Sequence, residues 1–374
     1  MRKILILTGR YLPGYKDGGP LRTLVNITEA LGDKYEFYII CLDRDHGDEK
    51  AYSNISHDAW NRVGKAKVWY VSPGEWHFSF LKKMIHEIDM VYLTSFYDAY
   101  GYKTLILNRI GLLENRKVVL ASMGVFSEGA LSHKSFKKKV FINFCKILGL
   151  FKGITWSVTS ELERQDVERH IGKNFKYVIA EDLPRTSVPG KMKIQEDKVK
   201  KIIFLSRICP QKNLLFAIKT LQNIGVEVIF DIYGPIQDEI YWKKCKEELK
   251  KLPENIKWDY KGNVEPENVQ EIFAEYDMFL FPTMGENYGH VIFEALSVGC
   301  IPVISDQTPW NVIEQKKAGY VLPLSHKQFE VALKNILQDP AEEIRELSEN
   351  AIEIAKDKVE QSKRETGYRK IFDM

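Results

Sequence analysis

Two glutamates, Glu286 and Glu294, stand with seven residues between them in a stretch that reads TMGENYGHVIFEALSVGCIPVISDQTPW from Thr283 to Trp310. An ionised carboxylate only accepts hydrogen bonds, so sugar hydroxyls are natural partners for it. The surrounding pattern predicts an apolar strand (Met278–Phe281) and a loop holding Gly285 and Gly289. A helix over about 290–298, stopped by Gly299, and a second strand (Ile301–Ser305) follow. A strand, a glycine turn and a helix together make an anion site, because the first helical turn has free N–H groups and the positive end of the dipole. Val291, Ile292, Ala295 and Leu296 give the helix a broad apolar face. Glu294 is therefore expected inside the protein, where a carboxylate needs a partner. The plainer alternative is that Glu294 reaches past its neighbours to water while Glu286 caps the helix. The residues alone leave both open.

Two cations could meet an anionic ligand. Arg207 and Lys212 flank the turn SRICPQKN, between a strand predicted over Lys201–Leu205 and the helix after it. Guanidinium and ammonium groups at such a turn can hold a diphosphate, although surface cations of no special purpose would look the same. Gly234 closes the next strand, Val226–Tyr233. Near the amino terminus, Gly18 and Gly19 end the loop Gly9–Pro20, between the strand Lys3–Thr8 and the helix Leu21–Leu31. They read either as a turn or as a surface that lets a phosphate approach. The loop is not a G-x-G-x-x-G fingerprint, so no nicotinamide cofactor is indicated. Asp43-Arg44-Asp45 follows the strand Tyr35–Cys41. Some transferases hold a donor diphosphate through a metal on an Asp-x-Asp. Here a second α/β half follows and the paired-glutamate stretch lies far downstream, so a loop at the edge of a cleft is expected and no metal. The five cysteines lie apart, and no Cys/His cluster has zinc spacing.

The run E-N-Y-G-H-V-I-F-E, continued by A-L-S-V-G-C-I-P-V-I-S-D, resembles the donor-site signature of family 4 of the retaining glycosyltransferases, enzymes of the GT-B fold. The resemblance implies two Rossmann-like domains facing across a cleft. It also implies transfer of a sugar from a nucleotide diphosphate, UDP or GDP, to an acceptor hydroxyl, with retention and without a cofactor or metal. On this pattern Glu294 grips the ribose, and Glu286 binds the transferred sugar and steadies charge at its anomeric carbon. Arg207 and Lys212 stabilise the departing diphosphate, and Gly19 packs near the phosphates. Gly234, Asn287, Tyr288, Gly289, His290 and Val291 complete the donor site. Family members often carry Pro-Arg-Gly after the strand that corresponds to Lys117–Ala121. Here Gly124 stands alone after Met123, which leaves Gly124, Ser127 and Glu128 as acceptor candidates without the arginine.

These residues need elements to position them. At 374 residues two domains are expected, and 44% hydrophobic residues suffice for two cores. Strand and helix patterns alternate from Lys3 to Ala180, and the rhythm restarts at Lys201. Between them EDLPRTSVPGKMKIQEDK (residues 181–198) reads as a linker. The expected organisation is an acceptor domain over 1–180, a donor-binding domain over 199–350, and a helical 351–374 that the resemblance implies returns to the first domain. The odd set of scattered cysteines suits a reducing compartment, hence a cytoplasmic location. The apolar run Ile4–Leu7 is too short for a signal sequence, and no run approaches a membrane span.

Residues 129–160 contain no acid, and Lys134, Lys137, Lys138, Lys139, Lys146 and Lys152 are interleaved with apolar residues. Such a helix can lie on an anionic membrane surface, or it can be a domain helix with solvated lysines. The net charge of +3 is too small to indicate nucleic acid. The leading expectation is a membrane-peripheral transferase that builds cell-surface polysaccharide on a lipid-linked saccharide. The alternatives are a soluble transferase acting on a small metabolite, and a non-catalytic nucleotide-sugar binding protein.

Overall fold

The structure is a computed structural model, which describes residues 1–114, 116–126, 135–190, 199–338 and 340–374. The chain divides into two compact units. Unit 1 comprises Met1–Thr186 and Gln361–Met374, and unit 2 comprises Ser187–Glu360. Within the segment read as a linker, 181–190 form neither helix nor strand, and 191–198 lie outside the described residues.

Unit 1 is built on β1 (Arg2–Leu7), β2 (Tyr35–Leu42), β3 (Trp60–Val63), β4 (Ala66–Val71), β5 (Met90–Leu93), β6 (Lys117–Ala121), β7 (Thr155–Val158) and β8 (Lys176–Ile179). They form one sheet in the order β3-β4-β2-β1-β5-β6-β7-β8. All neighbours are parallel except the β3–β4 hairpin. Alternate side chains of β1 fill the two faces. Ile4 and Ile6 join the core containing Leu24 and Ile27, whereas Leu5 and Leu7 join the one containing Val91 and Leu93. Burial on both faces explains why β1 is apolar at consecutive positions. The helix Gly367–Phe372 seals the first of these cores, with Ile371 and Phe372 fully buried and the Phe372 ring 5.5 Å from that of Phe37.

Unit 2 contains β9 (Lys200–Leu205), β10 (Val228–Tyr233), β11 (Ile256–Gly262), β12 (Met278–Phe281), β13 (Ile301–Ser305) and β14 (Tyr320–Leu322). All are parallel, in the order β11-β10-β9-β12-β13-β14. This is the doubly wound arrangement, and its winding reverses between β9 and β12. In open α/β sheets ligands gather outside the carboxyl ends of the two strands at such a reversal.

Two strands are not apparent from the pattern of apolar residues. β3 is a half-exposed edge of mixed composition (WNRV), joined to β4 through Gly64 at φ 55°. β14 has only three residues. Before β12 the chain forms a 3-10 turn, Pro266–Asn268, followed by a short helix, Val269–Phe273. Among the described residues no helix is long and apolar enough to cross a membrane.

Candidate active site

The two loops at the winding reversal of unit 2 carry the charged residues singled out above. The loop after β9 runs through Ser206 and Arg207 into a 3-10 turn, Pro210–Lys212, and on to Asn213. Asn213 holds a left-handed conformation at φ 61°, and its side-chain Nδ2 donates to the Pro282 carbonyl at 3.0 Å. The Met284 amide donates to the Gln211 carbonyl at 2.8 Å, and Thr283 Oγ1 reaches the same oxygen at 3.3 Å. Each contact crosses from the loop after β9 to the loop after β12, so the two form one laced platform.

On that platform Lys212 Nζ donates to Glu286 Oε1. Both side chains are nearly buried, at 9% and 13% exposure. A lysine at this depth needs a counter-charge. Its ammonium also lies 5.8 Å from the centre of the Phe281 ring. Glu286 is fixed from its other side, with Thr283 Oγ1 3.4 Å from Oε1 and its amide donating to the Gln307 carbonyl at 3.0 Å. The carboxylate therefore stays in the loop and does not cap the helix.

Arg207 differs from Lys212. It is half-buried at the end of β9, and no hydrogen bond or ion pair engages its guanidinium among the described residues. Gly234 lies against the same turn at φ +125°, and a Cβ there would sit 2.0 Å from the Ser206 carbonyl oxygen. Gly234→Ala should therefore lower stability by about 3 kcal/mol or more, through a backbone clash added to an unfavourable φ. A thermal melt of the variant would show this as a fall of several degrees, and an unchanged melting temperature would contradict it.

The helix after the second loop spans His290–Leu296 and is shorter than the sequence pattern suggests. It ends at Ser297 because Gly299 turns left-handed at φ 74°, with the Cys300 amide reaching back to the Ala295 carbonyl at 3.1 Å. At the other end Gly289 has φ 80°, and its Cβ position lies 3.5 Å from Glu286 Cγ. Trp310 Nε1 donates to the Tyr288 carbonyl and pins the loop from below. The Tyr288 and His290 rings stand 4.8 Å apart, Asn287 is exposed and Val291 is half-buried. Glu294 is buried at 5% exposure, which removes the reading in which it reaches to water.

Unit 2 thus unites Arg207 with Gly234, and Lys212 with Glu286 and Gly289. Gly19 and Gly124 belong to unit 1. Gly19 is exposed at the start of the first helix, behind Gly18 at φ 65°, and nothing lies within 4 Å of its Cβ position. Gly124 has φ 71°, and its amide donates to Glu163 Oε1 at 2.5 Å. Ser127 and Glu128 lie outside the described residues. Glu163, itself buried, also accepts from the Thr159 amide at 2.6 Å and holds the loop after β6. Its spacing from Ser160 gives it away only as a helix-capping residue. Asp43 and Asp45 are both buried. Asp45 accepts from the Tyr15 amide at 2.8 Å, and Asp43 from Arg44 Nε at 2.8 Å and Ser72 Oγ at 2.9 Å. Asp45 therefore fixes the loop after β1, and Asp43 ties the loop after β2 to Ser72. Among the described residues no group of three His, Cys, Asp or Glu side chains is placed to hold a metal ion.

Residues 191–357 match the family profile described as Glycosyl transferases group 1. No curated protein matches the chain by sequence. Solved structures match its fold over nearly its whole length. HepE of Anabaena, in complex with UDP and glucose, aligns at a TM-score of 0.73 and 14% identity, covering 97% of this chain and 98% of that one. Sucrose-phosphate synthase of Thermosynechococcus elongatus aligns at 0.74 and 14%, covering 100% of both. WaaG, a glycosyltransferase involved in lipopolysaccharide biosynthesis, aligns at 0.63 and 13%, covering 94% of this chain and 95% of that one. The chain carries a Glycosyl transferases group 1 domain over residues 191–357, set in the two-domain α/β fold of the GT-B glycosyltransferases.

Proposed function

We propose that the protein transfers a sugar from a UDP-sugar to a hydroxyl of a saccharide acceptor, with retention of anomeric configuration and without a metal. The observation that carries this reading is the nearly buried Lys212–Glu286 pair on the platform that also bears Arg207, whose guanidinium no described residue engages. A diphosphate-sugar presents phosphate charge and sugar hydroxyls close together, on either side of the glycosidic oxygen. The pair offers an ammonium for the phosphate and a carboxylate for the sugar at that spacing, and Arg207 adds a forked donor for a second phosphate oxygen. Fixed cations at the leaving group are worth most in a site already organised before the reaction, and they do the work that a metal does elsewhere.

In this mechanism Arg207 and Lys212 hold the diphosphate as the glycosidic bond breaks. Glu286 accepts hydrogen bonds from the transferred sugar and steadies the positive charge at its anomeric carbon. The acceptor hydroxyl attacks from the face the diphosphate leaves, and its proton passes to the departing phosphate oxygen. Glu294 accepts from the ribose hydroxyls. The acceptor is a lipid-linked saccharide of cell-surface polysaccharide assembly, and the enzyme works at the cytoplasmic face of the membrane. UDP is favoured over GDP by the UDP in the HepE structure.

Calorimetric titration of UDP and GDP, in EDTA, into the wild-type protein and Glu294→Ala tests the donor site. UDP should bind with the metal removed, and Glu294→Ala should weaken it by about 10-fold or more, as expected for a charged acceptor lost from a buried hydrogen bond. Binding of neither nucleotide would remove the metal-free site.

A further inference from the structure

The helix Ser135–Ile147 in unit 1 has two apolar faces, of which only one is used. Ile142 and Cys145 are buried, and Phe141 stacks beside Phe96 at 6.3 Å. On the opposite side Phe136, Val140, Phe144 and Ile147 are 79%, 52%, 56% and 83% exposed. Their spacing of three and four residues places them in one stripe. At 100° per residue Lys137 and Lys139 fall on either side of it. The surface continues beyond the helix. Leu148 is 43% exposed, and Arg109 reaches Gly149 from the neighbouring segment, whose Ile110 and Leu112 are 60% and 42% exposed. A contiguous apolar surface with a basic rim is unlike the scattered exposed residues of an ordinary protein surface.

We propose that this face is a docking surface for an anionic lipid bilayer, with Phe136, Phe144 and Ile147 entering the headgroup–acyl boundary and Lys137 and Lys139 meeting the lipid phosphates. Charge selects this occupant. The sequence from Gly129 to Ser160 has no acidic residue, so the stripe offers nothing to a basic partner. A second copy packed stripe to stripe about a two-fold axis would bring lysines against lysines. A bilayer of anionic headgroups complements both the apolar centre and the basic rim. The surface lies outside the platform of unit 2, so its function does not depend on the identity of the donor.

The test is co-sedimentation of the full chain with vesicles of phosphatidylcholine alone or mixed equally with phosphatidylglycerol, at low and high salt. Wild-type protein should sediment with the mixed vesicles at low salt, and at least 10-fold less with neutral vesicles or at high salt. The pair Phe144→Ser with Ile147→Ser, and separately Lys137→Glu with Lys139→Glu, should each reduce binding by about 10-fold or more. Circular dichroism and UDP titration check that the variants remain folded and competent for nucleotide. These four side chains are solvent-facing, so both checks should match the wild type. Equal sedimentation with neutral and anionic vesicles, or no loss in either folded double variant, would overturn the proposal. So would a dimer in sedimentation equilibrium that both double variants dissolve, because the face would then belong to a second copy.

Discussion

Glu286→Ala should cut turnover by about 10²–10³-fold while UDP affinity changes by no more than a few-fold. The carboxylate meets the transferred sugar in the proposed mechanism, and one fixed electrostatic partner of a developing charge is typically worth about 3–4 kcal/mol of barrier. The variant also strands the Lys212 ammonium, which is 9% exposed and loses its carboxylate partner. Breaking a buried pair on one side destabilises by about 3–5 kcal/mol. Bound UDP should recover part of that loss, since its phosphates supply a new counter-charge. The measurements are single-turnover kinetics with saturating donor, and thermal melts with and without UDP. Glu286→Gln keeps the hydrogen-bonding geometry and removes the charge. It should lose most of the rate with a smaller stability penalty, which separates charge from packing. An active Glu286→Ala enzyme would exclude the assignment.

The second large effect concerns the two cations, which should behave oppositely in the absence of ligand. Arg207→Ala removes a half-buried guanidinium that no described residue engages, so the melting temperature of the free protein should stay within a degree or two. UDP binding should weaken by about 10–100-fold, and kcat/KM should fall by 10²-fold or more, because charged hydrogen bonds to a diphosphate are lost in both ground and transition state. Lys212→Ala should lose stability first, by about 3 kcal/mol, because Glu286 is left without its ammonium. Stability and binding measured side by side therefore distinguish a residue kept for the ligand from one that also holds the loop. A large loss of stability in ligand-free Arg207→Ala would assign that arginine to structure.

The strands that carry these loops are legible in the sequence because each is buried on two faces and reads as an unbroken apolar run. β12, with Met278, Phe279, Leu280 and Phe281 all fully buried, is such a case. The edge strands carry no such mark, since β3 buries little and β14 is three residues long. The Lys212–Glu286 contact links residues 74 apart in the chain. Each was visible as a chemical candidate, but their pairing depends on the parallel register of β9 and β12, which no local pattern encodes. The scaffolding residues were the least visible. Gln211 acts through its backbone carbonyl, and Asn213 and Thr283 through side-chain bonds to carbonyls distant in the chain, so residue type alone does not mark them. Glu163 was hidden for another reason. Its position in the first turn of a helix suggests a capping role, whereas its carboxylate serves the Gly124 loop.

Unit 1 is made from two separated pieces of chain, with all of unit 2 between them. On a ribosome this inverts the usual order, in which an amino-terminal domain completes first. β1 to β8 emerge early, but the core containing Tyr35, Phe37 and Tyr92 stays open until the helix Gly367–Phe372 has been made. Unit 2 is continuous and can close its core while its predecessor still waits. The nascent protein therefore passes through a stage in which its later half is finished and its earlier half exposes aromatic surface. Chaperone demand during synthesis should fall on unit 1, and a premature stop just before residue 367 should spare unit 2 and ruin the unit that was translated first.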